Sequence, residues 1–200
     1  GARERGDDAS VLGLFDPTRP IRQGPVQYVR GVVGRALVGA GRREDAREVF
    51  EDLVGPGAAA IPRNIRWPAT IAEAALLCAE LGDAGRAKEL LDLVEPVAHQ
   101  HAMLPLAMYG GPFARCAARL HETLGRLDRA GDFYEEALEA ATALGALPMQ
   151  AHTLLEHGQM LARSGDRRRA REQLAASQRL AAQLGMAGVA RDAEASLADL

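Results

Sequence analysis

The sequence predicts an all-α chain built as a stack of four helical hairpins with a capping helix at its C-terminal end. Gly41, Gly82, Gly125 and Gly165 each stand five residues before an alanine, namely Ala46, Ala87, Ala130 and Ala170. Nine residues past each of those glycines comes a large apolar side chain, Phe50, Leu91, Tyr134 or Leu174. A helix that ends in Gly, a polar turn, and a second helix with a small and a bulky residue four apart describe a hairpin, used here four times. Composition agrees: hydrophobic residues make up 48% of the chain but aromatics only 4%, so Ala, Leu and Val must build the core, which suits close helix packing and disfavours sheet architectures.

Residues 1–24 carry charges, Asp16-Pro17 and Arg19-Pro20, which interrupt any sustained periodicity, so they are expected to form an arm, partly disordered or the remnant of a preceding repeat. Residues 25–200 form the repeat domain. The first hairpin is expected over 25–54, with its turn at Gly41, and GPGAAAIPRNIR links it to the second, over 67–98. There Asp83 is a natural N-cap and Pro96 should kink or stop the second helix. The third hairpin, 112–143, opens on Pro112 after Gly110-Gly111, and the fourth, 148–184, turns at Gly165 with Asp166 as its cap. Residues 189–200 form a last amphipathic segment that covers the open end, which a stack of repeats needs.

A net charge of -3 gives no general attraction to nucleic acid or acidic membranes. Lys88 is the single lysine, so 23 of the 24 basic residues are arginine, a skew that fits a high-GC genome. Cys78 and Cys116 fall in apolar helical stretches and read as buried hydrophobes. With no signal peptide and no long apolar run, the expected location is cytoplasmic. The opening at Gly1 without Met reads as a cut from a longer protein.

Intervals of 41, 43 and 40 residues between the repeated alanines exceed the 34-residue tetratricopeptide unit, so helices or loops are longer here. At this level the chain resembles the tetratricopeptide-like C-terminal region of large bacterial signalling ATPases, which include LuxR-type transcription regulators and ATPase-linked nucleotide cyclases. The resemblance is carried by Ala58 to Asn64 leading to Trp67, by Leu77-Cys78-Ala79-Glu80-Leu81-Gly82-Asp83 and Leu93 to Pro96, by Tyr109-Gly110-Gly111-Pro112, by Leu120 to Arg126, and by Leu154 to Leu161. It covers roughly residues 26–184 and consists of packing and turn residues. It implies a right-handed superhelical stack that senses a protein segment or effector behind a nucleotide-hydrolysing module. No Gly-x-x-x-x-Gly-Lys-Ser/Thr loop and no basic recognition helix occurs in this chain, so neither ATP hydrolysis nor direct DNA binding is expected of it.

Such a stack, by that resemblance, lines its concave groove with the first helix of each hairpin. The candidates are Tyr28 and Arg35, then Trp67 and Glu80, then Arg115, Arg119 and Glu122, then His152, Gln159 and Arg163. The four arginines could clamp a carboxylate or phosphate. The alternative is a solvated face with intrahelical pairs such as Arg119 with Glu122. Trp67 could wall a pocket with Asn64 and Arg66 or, more simply, wedge one hairpin against the previous one, with Asn64 as a helix cap. Arg167-Arg168-Arg169 reads as a solvated helix face.

His99, His101, His121, His152 and His157 lack metal-site spacing, and His121 and His157 are expected in hydrogen-bonded, half-buried positions. No cofactor and no catalytic residue is assigned. The expected function is a non-catalytic regulatory module that binds a protein partner or a small effector in its groove. A free-standing adaptor or oligomerisation protein is the alternative, and an enzyme on a helical scaffold is a distant third.

Overall fold

A computed structural model describes residue 12 and residues 27–104 and 108–200. The N-terminal arm and the first two residues of the expected first hairpin lie outside the described residues, apart from Leu12. The described chain is helical except for one two-stranded sheet. In order it comprises α1 (Gln27–Gly39), α2 (Arg43–Val54), a 3-10 turn at Ala58–Ala60, α3 (Trp67–Leu81), α4 (Ala84–Val94) and a second 3-10 turn at Glu95–Val97. Strands β1 (His101–Leu104) and β2 (Met108–Pro112) follow, then α5 (Phe113–Thr123), α6 (Leu127–Ala143), α7 (Leu147–Ser164), α8 (Arg167–Gln183) and α9 (Ala187–Ala198).

Each helix packs on its chain neighbours across a turn. The first helices also meet one another, α1 on α3, α3 on α5 and α7 on α9. The expected repeat positions are where the hairpins close. Ala46, Ala87, Ala130 and Ala170 are fully enclosed, and Phe50, Leu91, Tyr134 and Leu174 are buried beside them. A third position completes the set: Gly34, Ala75, Ala118 and Gly158, seven residues before each turn glycine, are all buried. A Cβ at Gly158 would come within 2.7 Å of Leu174 Cγ, so the small residue is what allows the two helices of that hairpin to approach.

Turn chemistry follows the sequence. Gly82 (φ 71°) and Gly165 (φ 91°) end α3 and α7 in the left-handed conformation that a Cβ disfavours. Asp83 and Asp166 then cap α4 and α8, each carboxylate accepting from the amide three residues on, Arg86 or Arg169. α4 stops at Val94, before Pro96, as expected.

Several expectations are corrected. Sheet structure is present: His101–Leu104 pairs antiparallel with Met108–Pro112, between the second and third hairpins. Gly110 and Gly111 lie in β2, and Pro112 precedes α5 in an extended conformation instead of lying in its first turn. Gly110 sits so close to Ala102 that an added Cβ would be 3.2 Å from its carbonyl oxygen, which explains why a residue without a side chain occurs there. Asn64 does not cap α3, because its Oδ1 accepts from the Arg66 amide in the preceding turn. The first amides of α5 are met instead by the carbonyls of Gln100 and Ala98.

Buried apolar side chains form two clusters. The larger runs from α1 to α8 and holds the buried aromatics Phe50, Phe113, Phe133 and Tyr134. The smaller joins α7, α8 and α9 through Ala151, Leu155, Leu174, Ala181, Met186, Val189 and Ala193. Both cysteines are free and buried.

Candidate functional site

The first helices of successive hairpins form a row, α1, α3, α5, α7 and α9, and most of the candidate side chains lie along it. The row opens with Arg35 of α1, whose Nε donates to Glu80 Oε1 at 2.9 Å and whose Nη1 donates to Glu73 Oε2 at 3.2 Å, both on α3. Burial disfavours the Arg35 charge, but the two carboxylates outweigh it and raise the guanidinium pKa above its usual range.

α5 and α7 scarcely approach one another through their backbones, and charged side chains span the interval. Arg115, 5% exposed, makes a two-pronged pair with Glu156: Nε to Oε2 and Nη2 to Oε1, both 2.7 Å. Burial alone would raise the Glu156 carboxyl, yet Arg115, followed by Arg119 and His152, holds it down at about 2. Two turns further along, Glu122 gathers three donors. Tyr134 Oη donates to it at 2.7 Å, Arg119 Nη1 reaches it at 3.3 Å, and Arg163 of α7 closes the set from across the seam. Gln159 then links α7 to α9 by donating to Ser196 Oγ at 3.0 Å.

The four candidate arginines are thus each engaged by a carboxylate of the chain itself. Arg35, Arg115, Arg119 and Arg163 stand against Glu73, Glu80, Glu122 and Glu156, four charges of each sign. Such a set ties helices together in register and offers an incoming anion no uncommitted guanidinium among these four. Tyr28 is half-buried at the start of α1, outside these pairs. Trp67 opens α3 with its ring 6.2 Å from that of Phe113 on α5 and with Arg63 stacked 4.7 Å above it, which places it as a wedge between hairpins.

Sequence reasoning missed Glu73 and Glu156, which complete the row, and the hydroxyl of Tyr134, which reaches Glu122 from α6. It also missed a second ladder on the other helices. Arg86, Arg129 and Arg169, the residue before the repeated alanine in three hairpins, each reach back to the preceding hairpin, to Glu51 (2.9 Å), Glu95 (3.0 Å) and Glu135 (2.8 Å). Aligning the turns would have exposed that arginine column. Arg168 pairs with Glu172 on the exposed face of α8, as the solvated reading of that basic run has it.

His121 and His157 depart from expectation. Both are fully buried, and neither nitrogen of His121 nor Nε2 of His157 has a hydrogen-bond partner, although His121 Nε2 lies 3.4 Å from Glu95. Each ring is stacked instead, His121 on Phe133 and His157 on Tyr134, with centroids 5.2 Å apart in both pairs. Aromatic stacking at the hairpin junctions takes the place of the expected hydrogen bonds.

Among the described residues no group of three or more His, Cys, Asp or Glu is placed to hold a metal ion, and no helix is long and apolar enough to cross a membrane. No family model, curated protein or solved structure matches the chain.

Proposed function

We propose that the chain is a non-catalytic interaction module, a right-handed tetratricopeptide-like superhelix whose first-helix row receives a protein segment or a small effector. The observation that carries the reading is the repetition of one packing unit. The same small and bulky positions are buried in every hairpin, and each hairpin is joined to the next by matched charges, a construction that spreads a long ordered surface over successive repeats. Charge matching along the row favours recognition by shape and by half-buried polar groups such as Tyr28, His152 and Gln159 over a clamp for free anions. The resemblance in turn and packing residues supports a reading of the module as part of a larger cytoplasmic bacterial signalling or transcription-regulator ATPase, with a free-standing adaptor as the second reading.

A thermal-shift screen of the purified chain against peptides, nucleotides, sugars and amino acids tests this. A stabilising ligand whose effect is reduced in Tyr28→Ser or Gln159→Ala, substitutions that spare the row's ion pairs, supports the groove. Turnover of any bound compound, or a shift untouched by both variants, overturns it.

A further inference from the structure

Aligning the hairpins on their turn glycines exposes one missing cation. Six residues past the turn stand Arg47, Lys88, Gly131 and Arg171, so three hairpins carry a basic side chain where the third has none. In the first hairpin that side chain has a defined partner: Arg47 Nη1 lies 3.7 Å from Asp83 Oδ2, the carboxylate that caps the next hairpin's second helix. Asp166 is the equivalent capping carboxylate opposite the third hairpin, and the residue that would face it is Gly131.

A cleft of about 320 Å³ occupies that place, between α6, α7 and the start of α8. Asp128 and Asp132 of α6 line it together with Asp166, Asp132 being paired with Arg129 at 3.3 Å, and Met160 forms part of its apolar wall. Gly131 borders it, with Met160 Cε, 3.8 Å away, the nearest atom a Cβ there would meet. The cleft has one basic wall residue, Arg169, and its guanidinium is committed to Glu135 at 2.8 Å. His157 is a further wall residue, 2% exposed, and its Nε2 is enclosed and without a hydrogen-bond partner.

We infer that this cleft receives an arginine side chain from a protein partner, which supplies from outside the guanidinium that Arg47 supplies within the first hairpin. A guanidinium on an alkyl shaft matches the walls, with the Asp128 and Asp166 carboxylates for the head and methionine and leucine for the stem. A side chain in a peptide fits better than free arginine, because the acidic rim repels the α-carboxylate that a free amino acid carries. The cleft shares α7 with the first-helix row but uses none of the groove's candidate side chains, so the inference stands or falls independently of the groove reading.

The test is heteronuclear NMR titration of the full chain with N-acetyl-arginine amide, with free arginine and with N-acetyl-citrulline amide, the neutral isostere. Saturable shifts centred on Gly131, Asp132, His157 and Asp166 are expected with capped arginine. Affinity should drop roughly tenfold or more for citrulline, for Gly131→Arg, which restores the internal cation, and for Asp166→Asn, which keeps the helix cap but removes the charge. Equal response to citrulline, shifts scattered over every acidic surface, or unchanged affinity in folded Gly131→Arg would overturn the proposal. Tighter binding of free than of capped arginine would overturn its assignment to a protein side chain.

Discussion

Arg115 and Glu156 meet across the interval between α5 and α7 in a two-pronged ion pair, both contacts 2.7 Å, where the helix backbones scarcely touch. An electrostatic tie therefore stands at this seam without close helix packing, whereas α1 and α3 combine the Arg35 ion pairs with close packing of the helices.

Removing one partner of that tie leaves the other buried and uncompensated. Glu156→Leu should cost about 3 kcal/mol or more, measured by urea unfolding, whereas the double variant Arg115→Met/Glu156→Leu should recover much of the loss. A double variant no better than the single one would refute the argument.

The same pair sets an acid limit. Glu156 titrates at about 2 in the folded chain against an ordinary 4.5, so its contribution is fully present above the ordinary value and is lost as pH falls from there toward 2. Glu156→Gln should flatten the stability profile across that window, with no change in its slope above it.

The enclosed histidines act in a higher window. Burial lowers the His121 pKa, with Arg129 and Arg126 adding to the effect against Glu95, and burial followed by Arg169 lowers that of His157 against Glu135. Each folded-state pKa lies below the unfolded value, so stability is complete above about 6.5 and declines as pH drops through and below it. Melting temperatures at about pH 7.5 and about pH 5.5 should differ less in His121→Leu/His157→Leu than in the parent chain. An unchanged difference would remove the histidines as the cause.

Two glycines in adjacent helices should respond oppositely to alanine. Gly158→Ala forces a Cβ to within 2.7 Å of Leu174 Cγ and 3.1 Å of its backbone nitrogen, a cost of roughly 1–3 kcal/mol. Gly131→Ala meets only Met160 Cε at 3.8 Å and removes a flexible residue from a helix, a gain of roughly 0.5–1 kcal/mol. Equal effects in thermal or urea unfolding would contradict the packing described for α7 and α8.

Burial pushes the thiols of Cys78 and Cys116 up to about 12. Native chain should therefore react with a thiol reagent at neutral pH far more slowly than chain in denaturant. Rapid native labelling would show that one of the two helices opens readily.

Turn glycines and repeated alanines made the helices legible, because they mark where backbone geometry and close approach allow few residue types. The β1–β2 hairpin was hidden. Its only local signals, Gly110 and Gly111, serve loops equally well, and the close pass of Ala102 that favours Gly110 is a tertiary contact. The candidate row was half legible. Arg35, Glu80, Arg115, Arg119, Glu122 and Arg163 were found by position, but Glu73 and Glu156 lie 38 and 41 residues from the arginines they pair with, beyond the reach of local spacing. Histidine environments were misjudged for the same reason, since the stacking partners of His121 and His157 lie on neighbouring helices.

The two apolar clusters differ in what fills them. Among the described residues every buried Phe and Tyr belongs to the larger one, and the smaller is made of Ala, Leu, Met and Val from α7 to α9. Small aliphatic side chains lose less surface to burial than rings do, so the terminal cluster has less free energy to forfeit when it opens. Amide hydrogens along α9 and the end of α8 should accordingly exchange with solvent ahead of those in α3 and α5, and the molecule comes apart from its C-terminal end inward instead of all at once.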